Sequence, residues 1–452
     1  MSEFTYRAAV RALQDRGRFG VRLGLGRTRA LLRELGDPQR GLRGALVAGT
    51  NGKGSVLALS GAALRKAGYR VGATPKPHLV SYRERLEIGG VPIDPAAFSR
   101  LVGEVDAAAV RIVARHGEPT EFELLTAAIF RWFAAEGIDL ALVEVGLGGR
   151  LDATHAWDGG VAVITNVDLD HMDRLGPTIR HIAREKAAII ERGDRAVTGA
   201  GGDGLAVVRR RARRLGVPLV EAPPATIIGW DRDGIDVDLP RLGPTRIGVR
   251  VRHQAANAAI ADATLDALEA AGIASVPAAA RRAGYAAARW PGRLELLAVD
   301  GRDVLLDGAH NPAGAAALAT ALDDLRPFLS GGEEAPNRRP PLTLVVAAMA
   351  DKDVAGIAAA LARAEALAGA RIICTALDAP RALPAADLAA IWAAVPGVAS
   401  VVAEPAVDAA FERAVAEARG PVVVAGSLYL VGAIRARLVD DPLLRDPEEA
   451  DG

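Results

Sequence analysis

The residues best equipped for chemistry begin with GTNGKGS, Gly49 to Ser55, which follows the apolar run ALVAG and precedes VLALSGAALRKAG, a stretch with helical apolar spacing. In a strand, loop and helix unit of this kind, glycines let backbone amides turn inward around phosphate, and the helix amino terminus adds positive potential. Thr50, Asn51, Gly52 and Gly54 would form the cradle, Lys53 would neutralise the β- and γ-phosphates, and the Ser55 hydroxyl can bind Mg²⁺. The spacing is not G-x-x-x-x-G-K-[ST], because Gly49 and Gly52 are closer and Gly54 separates Lys53 from Ser55. A purely structural glycine turn is the alternative, and the lysine in this context favours nucleotide. Glu144 ends the apolar run IDLALVEVG, where a carboxylate is costly unless paired, exposed or metal-bound. His171 follows the next apolar run in a DLDH turn. Taken singly, Glu144 reads as well as a helix cap and His171 as a surface histidine. His116 and His181 sit in no motif and are expected on the surface.

Placing these groups requires strands that end at them. Short β-rich runs at 45–49, 138–146 and 161–167 alternate with Ala-rich helical patterns, and VLLDGA, LTLVVAAMA, RIICTAL and PVVVAGS follow later. Such alternation predicts a mostly parallel sheet. The first three runs each end in a polar, Gly-rich or acidic cluster, and ligands of open α/β sheets collect beyond the carboxyl ends of strands. WPGRLELLAVDG, 290–301, interrupts an Ala/Arg helical pattern and predicts a boundary, with a first domain over 1–295 and a second over 296–439. SGGEEAPNRRPP, 330–341, reads as a surface loop, and the acidic tail 440–452 as disordered.

At roughly 100 to 200 residues per domain, 452 residues allow two or three domains. Lys plus Arg and Asp plus Glu each total 55, so no net field favours nucleic acid or an anionic membrane, and a small ligand is expected. Only five of those cations are lysine: Lys53, Lys66, Lys76, Lys186 and Lys352. With half the residues hydrophobic and 4% aromatic, the core must be built from Ala, Val, Leu and Ile. The lone cysteine, Cys374, cannot close an internal disulfide, which favours a reducing compartment and a cytoplasmic protein. Neither a signal peptide nor a membrane span is expected.

Motifs spread along nearly the whole chain resemble one family, the folate branch of the Mur-type ligases (dihydrofolate synthase/folylpolyglutamate synthase). They are LGLGRTRALLRELGDP at 23–38, VAGTNGKGSV at 47–56, PHLVSYRERLEIGG at 77–90, EVGLGGRLDAT at 144–154 and ITNVDLDHMDRLGPTIRHIAREKAAI at 164–189. HQAANA at 253–258, PGRLE at 291–295, LDGAHNP at 306–312, DKD at 351–353 and GSLYLVG at 426–432 continue the match.

The resemblance implies ATP-dependent ligation of L-glutamate to a folate carboxylate through an acyl phosphate, which agrees with a loop that neutralises and positions phosphate. It implies that Ser55, Glu144 and His171 ligate Mg²⁺, and that Lys186 is carbamylated and helps hold a second metal. A salt-bridging Lys186 is the plain alternative. Asn257 would meet adenine, Arg293 would reach phosphate from the linker, and Asp307 with His310 would face nucleotide or glutamate. The pterin end would lie at Val21, Arg22 and Leu23, at Thr120, Glu121 and Phe122, and at Leu151, Asp152 and Ala153. There Phe122 can stack and Asp152 can accept hydrogen bonds, unless Phe122 is simply core. The chain departs from the family at Lys76, where a metal-binding serine is usual. The Lys76 ammonium either replaces part of the metal's charge beside the γ-phosphate or displaces that metal shell, leaving Glu144, His171 and water. His155 and Ala188 are smaller departures.

The implied fold is α/β: a P-loop Mur-ligase-type ATPase domain with a parallel-rich sheet, plus a smaller Rossmann-like carboxyl-terminal domain that closes the cleft. Expected ligands are ATP, Mg²⁺, L-glutamate and dihydropteroate or folates, acting on a monomer. The competing readings are a monofunctional folylpolyglutamate synthase, a peptidoglycan Mur-type ligase, and a P-loop nucleotide switch.

Overall fold

The computed structural model describes residues 4–17, 20, 22–332, 338–379 and 381–447. Val21, residues 333–337 of the expected surface loop and 448–452 of the tail lie outside the described residues. Among those described, strands form three sheets.

The first contains β1 (Gly44–Ala48), β2 (Val71–Thr74), β3 (Glu87–Ile88), β4 (Val91–Pro92), β5 (Leu140–Glu144), β6 (Gly160–Ile164), β7 (Arg195–Thr198) and β8 (Leu219–Glu221). Their order is β4-β3-β2-β5-β1-β6-β7-β8, antiparallel only at the β3 and β4 edge. Because side chains alternate along a strand, β1 feeds both faces: Ala45 and Val47 join one core with helices Lys53–Lys66 and Gln254–Ala270. Leu46 and Ala48 join the other with helices Pro95–His116 and Glu121–Glu136. Burial of β1 and β5 on both faces explains why they read as continuous apolar runs.

A three-stranded antiparallel sheet follows, β9 (Thr226–Asp231), β10 (Gly234–Leu239) and β11 (Gly243–Ile247). The third sheet holds β12 (Glu295–Val299), β13 (Arg302–Leu306), β14 (Thr343–Val346), β15 (Arg371–Cys374), β16 (Ser400–Ala403) and β17 (Val422–Ala425). Its order is β12-β13-β17-β14-β15-β16, with only β12 antiparallel. Leu305, Leu344 and Ile372 pack under helices Pro312–Leu325 and Val354–Leu361, while Val304, Val345 and Ile373 face Val407–Glu417 and Leu428–Leu438. The expected α/β fold with a parallel-rich sheet and a smaller second α/β unit is what forms. Among the described residues, no helix is long and apolar enough to cross a membrane.

The tail departs from expectation. Asp446 accepts hydrogen bonds from Ser81 Oγ (2.7 Å) and Arg83 Nε (3.2 Å), and Arg83 Nη2 donates to the Arg445 carbonyl. Arg83 is 3% exposed and needs these acceptors, so the chain over 440–447 is tied to the loop after β2 rather than free of the fold.

Candidate active site

The phosphate loop is shaped from β6. Asn166 Oδ1 accepts from the amides of Thr50 (3.1 Å) and Asn51 (2.8 Å), and Thr165 Oγ1 donates to the Asn51 carbonyl. Gly52 has φ 81°, and a Cβ there would collide with Asn257 Oδ1, while one on Gly54 would strike the Trp290 ring. Asn257 is buried and donates to Gln254 Oε1 at 2.8 Å, so it buttresses the loop from helix Gln254–Ala270. Lys53 opens the helix, and its Nζ bends back to the carbonyls of Gly49 (3.0 Å) and Thr50 (3.1 Å). Lys186, on helix Ile179–Ala187 and 4% exposed, donates to the same Gly49 carbonyl at 2.8 Å.

Glu144 ends β5 alongside this loop, 4% exposed. Its Oε1 lies 4.0 Å from Lys53 Nζ, and its Oε2 accepts from the Lys76 amide at 3.2 Å. Burial raises its pKa, opposed by the charges of Lys53, Lys76 and Arg293. Lys76 Nζ donates to the Glu144 carbonyl at 2.5 Å and stands 4.6 Å from the centre of the Phe122 ring. Burial pulls the Lys76 ammonium down to about 8, against the pull of Asp152 and Glu144. Burial, then the neighbouring Lys53 charge, brings Lys186 to about 7.

The third sheet offers its own carboxyl ends to the same cleft. Asp307, after β13, accepts from the amides of Leu294 (3.0 Å) and Ala309 (2.9 Å), and Gly308 donates to the Gly292 carbonyl. A Cβ on Gly308 would collide with Arg293, so linker and loop interlock there. His310 Nδ1 pairs with the Gly308 carbonyl at 2.7 Å, and burial lowers its pKa. The charge of Lys352, beyond β14, acts on both His310 and His171, and therefore spans the cleft.

Residues expected on the pterin side also lie together. Gly24 N donates to the Leu151 carbonyl, bringing the exposed Arg22 and Leu23 to the loop carrying Leu151, Asp152 and Ala153. Thr120 caps helix Glu121–Glu136 in a capping box with Glu123, and burial, then the neighbouring Glu121 carboxylate, raises the pKa of the Tyr82 phenol. Phe122 is half-buried, wedged against Gly146 with Lys76 over its ring, and is not a core residue. Asp152 is 3% exposed and accepts from Leu147 N (2.8 Å), Thr154 N (3.0 Å) and Thr154 Oγ1 (2.5 Å). Oδ1 takes two of these donors and Oδ2 one, so its own loop holds the carboxylate in place while Oδ2 keeps acceptor capacity.

The expected metal set is not gathered as a whole. Ser55 and Glu144 are buried oxygens, but His171 is exposed on a left-handed backbone (φ 48°) with Asp170 3.8 Å away. Among the described residues, no group of three or more His, Cys, Asp or Glu side chains could hold a metal ion. His116 and His181 are exposed. Sequence reasoning passed over Asn166 and Trp290 as site residues; the signal for Asn166 was an amide side chain directly after an apolar strand.

Comparison with known proteins agrees with this geometry. Residues 47–214 match the Mur ligase middle domain and 292–428 the Mur ligase glutamate ligase domain. A dihydrofolate synthase/folylpolyglutamate synthase of Bacillus subtilis is 33% identical over 443 residues, 96% of this chain and 99% of the relative. The chain belongs to the dihydrofolate synthase/folylpolyglutamate synthase family. As a member it is an ATP-dependent, ADP-forming ligase that adds L-glutamate to folates. Folylpolyglutamate synthase from Mycobacterium tuberculosis, solved with ADP and AMPPCP, superimposes with a TM-score of 0.83 at 32% identity, covering 96% of this chain and all of that one. An Escherichia coli protein solved with DHPP and ADP gives 0.79 at 29% identity over 95% of this chain and 97% of its own. Among the competing readings, the nucleotide switch and the peptidoglycan ligase give way to this family.

Proposed function

We propose that this ligase charges the carboxylate of dihydropteroate, and the terminal carboxylate of glutamylated folates, and passes each to glutamate. The observation that carries the reading is one buried carboxylate, Glu144, within the fields of Lys53, Lys76 and Arg293 at the mouth of the phosphate loop. A carboxylate oxygen of the acceptor attacks the γ-phosphorus while the bond to the β-phosphate oxygen breaks, yielding acyl phosphate and ADP. The glutamate amine then attacks the carbonyl carbon, phosphate leaves, and the amine loses a proton. Both steps need positioned charge more than covalent help. Lys53 would steady the β- and γ-phosphates, Asn257 the loop and its nucleotide, and Arg293 the phosphoryl oxygens as the cleft closes. Asp307 and His310 would face glutamate from the second unit. The aromatic face of Phe122, together with Leu23 and Leu151, would receive the pterin.

The hard oxygens of Glu144 and Ser55 fit Mg²⁺, and His171 would join them as the resemblance implies. The ion, when bound, would neutralise and orient the transferring phosphoryl group. Carbamylation of Lys186 is supported by a buried amine brought to about 7, which is substantially neutral at physiological pH and can add carbon dioxide with loss of a proton. ¹³C-bicarbonate labelling should give a carbamate resonance that Lys186→Arg abolishes. Its absence from the parent protein would refute the modification. The chain is expected to act as a cytoplasmic monomer, which sedimentation would test for the oligomeric state.

The deciding assay supplies ATP, L-glutamate and, separately, dihydropteroate or a monoglutamyl folate, and weighs the products. Glutamate gained by both acceptors establishes both activities; gain by the folate alone leaves a monofunctional enzyme, and gain by neither refutes the reading.

A further inference from the structure

Lys76 has more structure around it than a tether needs. It follows β2 by two residues, and its side chain crosses to the end of β5, where Nζ meets the Glu144 carbonyl at 2.5 Å. Its own amide holds Glu144 Oε2 at 3.2 Å, so loop and strand are already joined without the ammonium. The ammonium stands 4.6 Å from the Phe122 ring centre, and Asp152 and Glu144 are the anions acting on it. Lys76 also lines a cavity of about 60 Å³ between the two halves, with Trp290 and Arg293 from the linker and Leu428 from the second unit. That volume holds several waters or a small polar group.

These placements separate the cations of the cleft by task. Lys53 and Lys186 converge on the Gly49 carbonyl and belong to the phosphate loop. Lys76 sits where the wall carrying Glu144 meets the aromatic wall carrying Phe122. An acceptor whose ring lies toward Phe122 and whose carboxylate faces the γ-phosphate must pass its carboxylate across this junction. An ammonium has three N–H donors. One goes to the Glu144 carbonyl, and contact with an aromatic face is electrostatic and leaves donors for a ligand oxygen. Among the described residues Asp152 takes its hydrogen bonds from Leu147 and Thr154 and acts on the ammonium through its charge.

We propose that Lys76 binds the acceptor carboxylate and holds it for phosphorylation, as a further substrate-binding residue of the ligase reaction. The proposal rests on the reaction proposed above and assigns Lys76 to the acceptor rather than to the nucleotide. An ionic hydrogen bond present in the bound acceptor and retained in the acyl phosphate contributes to acceptor KM more than to ATP KM.

The test compares the parent with Lys76→Met, which keeps length without charge, and Lys76→Arg, which keeps charge. The parent must first add glutamate to dihydropteroate or a monoglutamyl folate; if it does not, the reaction is wrong, independently of Lys76. Given activity, Lys76→Met should raise acceptor KM about 10- to 100-fold, as loss of a hydrogen bond to a charged group implies. Its KM for ATP and its affinity for ADP by calorimetry should stay those of the parent, and Lys76→Arg should recover part of the loss. Unchanged acceptor KM in Lys76→Met overturns the proposal. So does a defect confined to ATP KM or ADP affinity, which would make Lys76 a nucleotide-side charge. If Lys76→Met does not fold, Lys76→Ser replaces it with the same expectations, and equal defects in Lys76→Ser and Lys76→Arg would overturn the proposal in favour of a packing role.

Discussion

In the cleft, the positive charges that hydrogen-bond around Gly49 and Glu144 are lysines, with Arg293 acting on Glu144 only through its field. Along the seam between the β9–β10 hairpin and the six-stranded unit they are arginines clasping aspartates. At the seam Arg232 spans both oxygens of Asp303 (2.8 and 2.5 Å), and Arg252 reaches Asp324 through Nε at 2.7 Å and through Nη2. Trp230 Nε1 donates to the Asp324 carbonyl, and Arg252 lies 5.2 Å over the Trp230 ring. The aspartates are buried, with side chains 6% and 7% exposed, while the arginines are about half exposed. A guanidinium suits this role because its planar fork matches a carboxylate and it stays charged. The cleft lysines contact one or two backbone carbonyls each, and burial has pulled Lys76 and Lys186 far below the usual lysine range. The contrast teaches that charge alone does not define a cation's job: a compact ammonium can change protonation and reposition, whereas a fork fixes one geometry.

Exchanging the two cations is the strongest way to break that contrast. Lys186→Arg keeps the charge but brings a larger group that cannot lose its proton to a site 4% exposed. Turnover should fall by about 10²-fold or more, the scale of losing a positioned electrostatic group, with the circular dichroism spectrum retained. Activity near that of the parent would mean that a fixed positive charge suffices there. Next in size is Asp324→Ala at the seam, which leaves Arg252 without its carboxylate while the Trp230 bond to the carbonyl of residue 324 stays. Because Arg252 is half exposed and water can replace part of the contact, the expected loss is about 1–3 kcal/mol of stability, read by urea unfolding. Turnover should drop far less than for Lys186→Arg.

The protonation half of the contrast has its own signature. Lys186 is held at about 7 in the folded chain, by burial and then by Lys53, against about 10.4 for a free lysine. Between those values the unfolded chain carries the extra proton, so this residue makes stability rise with pH across the window. Lys186→Met lacks that increment. In ligand-free, carbon-dioxide-free buffer, its melting temperature relative to the parent should be highest below pH 7 and decline steadily toward pH 10. A pH-independent difference would show that Lys186 keeps an ordinary lysine pKa.

How far the sequence could reach follows the same physics. Runs such as ALVAG and PVVVAGS are buried on both faces, so composition alone marks β1 and β17; Glu144 was visible because charge in such company is costly, and Lys53 because of the glycines around it. The β9–β11 sheet was not visible: β9 is half exposed, and residues such as Trp230, Arg232 and Arg252 acquire meaning only against Asp303 and Asp324, far along the chain. Asp152 was legible as a site residue, but its bonds within its own loop were not, because Leu147 and Thr154 are backbone and hydroxyl donors that no spacing advertises. Asp446 read as part of a disordered acidic tail because its partner Arg83 sits in a loop remote in sequence.

The mildest exchange completes the comparison. Arg252→Lys leaves a positive charge opposite Asp324 but turns two directed bonds and a stacked plane over Trp230 into one mobile ammonium. The buried carboxylate still finds a cation, so no uncompensated charge is created and the cost should be about 0.5–1 kcal/mol, the scale of a partly exposed pair. A double-mutant cycle with Trp230→Leu should show part of that cost disappearing, since the stacked plane contributes only while the ring is present. If Arg252→Lys instead costs as much as Asp324→Ala, the seam depends on the fork itself and tolerates substitution no better than the cleft. If it costs nothing at low salt and at high salt alike, the pairs along the seam are decoration on a surface held by the Trp230 contact.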